Sequence, residues 1–202
     1  MKARISFWTL ILILVSGCAS ALATPQPATV TPDVMPRLDP SPTASGSTLP
    51  LTCQVTDLNV YINEMDGFCF AYPTRFTLGD QPSDNPGVRG PDLDNSIEPT
   101  YATFGVDVTP AAANMSVREQ AQAYFERTDS NMDLATWTEM QVGGESAWSI
   151  EPIPTIGAWR MVFVEHNGSL FRLAYWPVDA EIARADVEEL TQTTLGSFAF
   201  LK

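Results

Sequence analysis

Few side chains in this chain of 202 residues have the chemistry that catalysis usually needs. Its single histidine, His166, stands beside an Asn167-Gly168 pair. A Ser-His-Asp site would have to use that histidine, yet no serine lies in a nucleophile-elbow string. Glu165 is its neighbour, and adjacent residues of a strand point to opposite faces. An enzyme of unrecognised type would have to draw on His166, Glu165 and Arg160, and no second diagnostic group accompanies them. The expectation is therefore no catalytic residue and no cofactor. Zinc is not expected either, because one histidine and a pair of cysteines do not make the usual ligand sets.

Hard oxygen donors gather between residues 80 and 99, where Asp80, Asp84, Asp92, Asp94, Asn95 and Glu98 could suit Ca²⁺. Read as an EF-hand loop from Asp92, the glycine position holds Ile97 and the closing glutamate position holds Thr103, so that pattern fails. Asp92, Asp94 and Glu98 remain candidate cation ligands. The competing reading is a solvated loop whose Asp, Pro and Gly residues make turns. Trp137, Trp148, Trp159 and Trp176 fall in expected strands. Tryptophans there serve as core or cross-strand pairs, or line an apolar pocket or partner surface.

The three cysteines divide by position. Cys18 closes an apolar run from Ile5 to Val15 that follows the basic residues Lys2 and Arg4. A membrane-spanning helix needs about 20 apolar residues, so this run is short for a permanent span. The string Val15-Ser16-Gly17-Cys18 resembles the lipobox of bacterial lipoproteins. The resemblance implies that residues 1–17 are a signal peptide and that Cys18 becomes the lipidated first residue. The membrane would then be the chain's partner, the protein facing the extracytoplasmic side of a cell membrane or outer membrane. An ordinary signal peptide cleaved after Ala21 or Ala23 is the alternative. Two or more acyl chains such as palmitate anchor stably where one is marginal, at about 0.8 kcal/mol per buried methylene.

With Cys18 modified, Cys53 and Cys69 remain as an even pair in an exported protein. A disulfide between them closes a loop of 17 residues and stabilises by about 3 kcal/mol in the chain-entropy picture. Free buried thiols or a redox pair are the alternatives, although the spacing is not C-x-x-C.

Charge narrows the partners. With 24 acidic against 11 basic side chains the net charge is −13, which argues against nucleic acid. Loss of Lys2 and Arg4 with the leader lowers it to −15 and leaves Lys202 as the last lysine. Anionic headgroups repel such a chain, so covalent lipid must hold it at a membrane.

The elements that must position these residues begin near Leu51. Residues 18–50 are rich in Pro, Thr, Ser and Ala, as in Thr24-Pro25-Gln26-Pro27 and Asp39-Pro40-Ser41-Pro42. Such a segment cannot bury enough apolar area to offset its ordering entropy and is expected to be a disordered tether. Residues 51–202 form the expected domain. Strands are expected at residues 59–63, from Phe68 to Pro73, and from Tyr101 to Val108, with a long loop over residues 80–99. Ser116-Val117-Arg118-Glu119 is a capping box that opens a helix. Gly143-Gly144 and Asn167-Gly168 each close a hairpin, the second pairing Val164 with Phe171 and Val162 with Leu173. Both faces of that hairpin are apolar, which predicts cover on both sides. Asp179 is expected to cap a second helix that Gly196 ends, and a last strand closes the domain. Helices over an antiparallel sheet make this an α+β layered domain.

Asp66-Gly67-Phe68-Cys69-Phe70-Ala71-Tyr72-Pro73 resembles the opening of PsbP-like domains and their Mog-type relatives. Also similar are Val142-Gly143-Gly144-Glu145-Ser146-Ala147, the Asn167–Leu173 hairpin and the closing Ser197-Phe198-Ala199-Phe200. The resemblance implies an α/β/α sandwich around a mostly antiparallel sheet with two main helices. Members of that superfamily differ in function, including photosystem II subunits and a Ran-binding import factor. What it implies here is a non-enzymatic binding or scaffolding domain for another envelope component, protein or small ligand. The alternative is a receptor for a small ligand or Ca²⁺ that uses the acidic loop and the tryptophan-bearing sheet.

Overall fold

A computed structural model describes residues 49–79, 86–93, 101–128, 130, 132–155 and 157–202. Alternation of aromatic and branched aliphatic residues produces two antiparallel sheets. The smaller holds β1 (Leu58–Asn63), β2 (Phe68–Pro73) and β10 (Ala199–Phe200) in the order β1-β2-β10. The larger holds β3 (Thr77–Gly79), β4 (Gly87–Arg89), β5 (Thr103–Pro110), β6 (Thr136–Val142), β7 (Glu145–Ile153), β8 (Trp159–His166) and β9 (Ser169–Trp176). Its order is β3-β4-β5-β9-β8-β7-β6. Every pairing among the described strands is antiparallel. With α1 (Val117–Arg127) and α2 (Arg184–Ser197) the fold class is α+β, as expected.

Local signals explain the registers. Asn167 and Gly168 both have positive φ, 49° and 76°, as a two-residue hairpin turn of the right twist requires. That turn sets Val164 against Phe171 and Val162 against Leu173. At the capping box, Ser116 Oγ accepts from the Glu119 N–H while Glu119 accepts from the Ser116 N–H, satisfying two donors that the helix leaves open.

The hairpin is covered on both sides. Val162 and Val164 join Phe68, Phe70, Leu173 and Leu190 in a core beneath the small sheet and α2. Phe163 joins Ala121, Phe125, Ile150 and Leu170 in a second core beneath α1. The molecule thus layers α1, the seven-stranded sheet, and then the small sheet beside α2. A disulfide joins Cys53 to Cys69, pinning the one-turn 3-10 helix Leu51–Cys53 to the middle strand of the small sheet.

Three expectations are corrected. Part of the expected loop over residues 80–99 is strand: Gly87–Arg89 pairs with both β3 and β5. Three residues are too few to show alternation, and the strand is held by its pairing and by burial of Val88. Asp179 does not cap the second helix, because its carboxylate accepts from the Ala158 N–H where β9 leaves β8. The chain enters α2 through a 3-10 turn, Glu181–Ala183, with no side-chain cap. Gly196 does not stop α2, which runs one residue further. Ser197 ends it instead: its Oγ donates to the Thr193 carbonyl and accepts from the Ala71 N–H of β2.

Candidate functional site

α1 packs chiefly on β7 and β8, touching β6 at Trp137 and β9 at Arg172, and among the described residues no helix covers the rest of that sheet face. On β5 the residues facing this side are Thr103, Gly105 and Asp107, and on β9 they are Arg172, Ala174 and Trp176. Register places them in rows: Gly105 beside Ala174, with Gly87 on one side and Met161 on the other. The missing or short side chains of Gly87, Gly105 and Ala174 leave a trough with a volume of about 900 Å³. It runs from Gly79 on β3 to Trp159 and Met161 on β8. Five strands at about 4.8 Å spacing make it roughly 19 Å across.

Its walls are aromatic. Tyr101 and Trp159 stand on one side, each against Trp176 with ring centroids 6.2 Å apart. Gly157 permits this, since its φ is +77° and a Cβ there would strike the Trp176 indole nitrogen at 2.3 Å. Tyr124 and Phe125, from the last turns of α1, form the other wall. Two arginines line the trough, and each stacks on a wall residue: Arg89 lies 3.7 Å from the Tyr101 centroid and Arg172 lies 4.6 Å from that of Tyr124. Each also pairs with a carboxylate, Arg89 with Asp92 at 2.7 Å and Arg172 with Asp107. Burial lowers the Arg172 pKa from its ordinary value, and its Nε is buried without a hydrogen-bond partner. The guanidinium stays charged, because arginine does not deprotonate in proteins.

The residues singled out from sequence are placed as follows. Cys18, Asp94 and Glu98 lie outside the described residues, as do Asp80, Asp84 and Asn95. Asp92 is described, and its carboxylate is occupied by Arg89. Among the described residues no group of three or more His, Cys, Asp or Glu side chains is placed to hold a metal ion. His166, Glu165 and Arg160 are not brought together. His166 Nδ1 lies 2.9 Å from Glu145, and its ring stacks on Phe200 at 4.0 Å. Glu165, on the opposite face, accepts from Gln120 of α1. Arg160 binds Glu151, Glu188 and Thr191 and so ties α2 to the sheet. Desolvation lowers its pKa, but hydrogen bonds to the two glutamates outweigh this and leave it raised.

The four tryptophans split into two pairs on one face. Trp137 and Trp148 sit beneath the Arg118 guanidinium near the start of α1, and Trp159 and Trp176 stand at the trough. Sequence reasoning missed the trough floor. The available signal was Gly105, in the middle of an alternating strand, where glycine is disfavoured unless something approaches closely. A Cβ at Gly105 would meet only the Pro86 carbonyl, at 3.8 Å, so neither φ nor crowding requires glycine there.

No family model matches the chain, and no curated protein matches it. Among solved structures it is similar to the solution structure of cyanobacterial PsbP (CyanoP) from Synechocystis sp. PCC 6803. The TM-score is 0.49 and the identity 13%, over 79% of this chain and 99% of that one. The fold class rests on the strand order and helix placement described above, not on this likeness. Among the described residues, no helix is long and apolar enough to cross a membrane.

Proposed function

We propose that this chain is a lipid-anchored, extracytoplasmic binding domain that works without catalysing a reaction. The observation that carries the reading is the trough: a concave site of about 900 Å³, aromatic-walled, with an ion pair and several hydroxyls set among apolar residues. That is the usual build of a small-ligand site. It favours capture of a ligand over a flat scaffolding contact. The Val15–Cys18 string supports attachment through lipid on Cys18. The Cys53–Cys69 bridge supports an oxidising compartment outside the cytoplasm. A calcium reading has no comparable support: Asp92 pairs with Arg89, and Asp94 and Glu98 lie outside the described residues.

Two measurements test it. Intact-mass analysis of protein taken from native membranes should give Cys18–Lys202 plus acyl groups. A mass beginning after Ala21 or Ala23 overturns the anchor. Because Trp159 lines the trough and Trp176 backs it, an arriving ligand should change tryptophan emission. A panel of anions, cations, sugars, peptides and apolar compounds should contain at least one that gives a saturable change. Silence across the panel, or equal responses from an Ala174→Leu variant that fills the trough, removes the binding function.

A further inference from the structure

We infer that the trough binds a neutral, polyhydroxylated ligand, an extended oligosaccharide, with sugar rings laid against its aromatic walls. The inference rests on the binding function proposed above and names the ligand class of that same site. Three observations of the lining carry it.

The first is charge. Arg89 and Arg172 are each paired with a carboxylate, so no described lining charge is left uncompensated. An anion arriving there meets Asp107, and a cation meets two guanidiniums. The chain's net charge of −13 further disfavours anions at long range. A neutral ligand pays neither cost.

The second is the pattern of hydrogen-bonding groups. Four threonine and serine hydroxyls line the trough: Thr103 donates to the Trp176 carbonyl and Thr155 to that of Gly157, while Thr128 reaches the Tyr124 and Phe125 carbonyls and shares a hydrogen bond with Ser130 in which either hydroxyl can donate. A hydroxyl that has given its proton presents acceptor lone pairs. Asp107 adds more acceptors, while the arginines offer donors alone. The lining therefore asks for a partner whose groups both donate and accept. Sugar hydroxyls do both, whereas an apolar compound would desolvate these groups without replacing their bonds to water.

The third is shape. A sugar ring has an apolar C–H face and a hydroxyl edge, and it needs a flat apolar surface beside polar groups. Trp159 supplies a ring in the same lining as the Arg172–Asp107 pair and the threonines, flanked by Tyr101 and Tyr124, each of which carries a guanidinium on one face. The trough runs across five strands, which suits a chain of rings more than a single one.

The test uses the full lipidated chain in a detergent without a sugar headgroup. Maltohexaose, cellohexaose and chitohexaose are the neutral probes, an oligogalacturonate the anionic one and a chitosan oligomer the cationic one. Binding is read by tryptophan emission and calorimetry. At least one neutral probe should saturate, with affinity changing less than about twofold between 0.1 and 1 M salt, as expected where no net charge is engaged. Trp159→Ala should weaken it roughly tenfold or more, about 1.4 kcal/mol. Should that variant fail to fold by circular dichroism, Ala174→Leu supplies the same test by raising the floor. Neutral sugars that bind equally well to a folded Trp159→Ala or Ala174→Leu variant lie elsewhere, which overturns the inference. Failure of all neutral probes while a charged probe, or an apolar compound of the panel above, saturates overturns the ligand class and leaves the binding function standing. Failure of every probe overturns the ligand class, and silence across the wider panel as well overturns both.

Discussion

Along β5, Phe104 and Val106 point toward the small sheet and α2 and are each 1% exposed, whereas Thr103, Gly105 and Asp107 point to the face that α1 only partly covers. The same strand thus serves two surfaces with different demands. On the covered face, side chains must fill space: Val88, Phe104 and Tyr175 follow one another across the strands, as do Val106, Leu173 and Val162, in one packed layer. On the open face packing asks little, and an ordinary solvated strand would carry long polar side chains such as lysine or glutamate there. It carries instead a glycine, an alanine and an ion pair framed by rings. Alternation along a single strand therefore separates residues chosen for stability from residues available for binding.

Adjacent substitutions put that contrast at greatest risk. Phe104→Ala should destabilise by about 3–5 kcal/mol, as aromatic truncations in cores do. Gly105→Ala, one residue on, should change stability by less than about 1 kcal/mol, because a Cβ there has room. Urea unfolding monitored by circular dichroism gives both values. Equal losses at the two positions would break the distinction between the faces.

The next effect belongs to the covered side. Replacing Cys53 and Cys69 together by alanine should cost about 3 kcal/mol, the chain-entropy value for a loop of this length. The same loss should appear in the natural chain under reductant. A full-sized loss with reductant but none in the double variant would mean that thiols, not the missing cross-link, disturb the core around β2.

Local chemistry explains which parts of this contrast could be read from residues alone. The Asn167-Gly168 turn and the Ser116–Glu119 capping box each specify a backbone geometry within four residues, and both formed as written. So did the apolar character of both hairpin faces, since period-two alternation survives any tertiary arrangement. The cysteine pairing was readable as one of three options, and folding selected the bridge. Asp179 and Gly196 mislead because capping signals are local while the partners that decide the helix ends are not. Asp179 finds the Ala158 N–H, 21 residues away in sequence, and Ser197 finds Ala71, 126 away. The trough was illegible for the same reason. It depends on where α1 ends and which strands it leaves bare, and no spacing in one strand records that.

A smaller effect sharpens the description of the covered face. Tyr175 is buried there with its hydroxyl 2.8 Å from Thr194 Oγ1. Burial pushes its phenol pKa well above the ordinary value of about 10, outweighing the Thr194 hydrogen bond and the charge of Arg160. The folded state therefore holds this proton more tightly than the unfolded one. Its share of stability is complete below pH of about 10 and falls as pH rises through the folded pKa. Tyr175→Phe should lose about 1 kcal/mol at neutral pH for the missing hydrogen bond, and its stability should decline less steeply above pH 10. Parallel alkaline slopes for the two proteins would show that another group governs the decline.

The smallest expected effect tests whether the two faces are independent. Gly196 lies exposed near the end of α2, has no positive φ, and has no atom within 4 Å of where a Cβ would stand. Gly196→Ala should raise stability by about 0.5 kcal/mol, chiefly by restricting the unfolded chain. The substitution strengthens an element on the covered side and touches nothing at the trough. If the faces are separate, the tryptophan response to a trough ligand stays unchanged while the unfolding midpoint rises. A shifted affinity would instead mean that α2 communicates through the sheet to Ala174 and Arg172. The sheet would then be a coupled layer, and the residues of its open face would answer to packing after all.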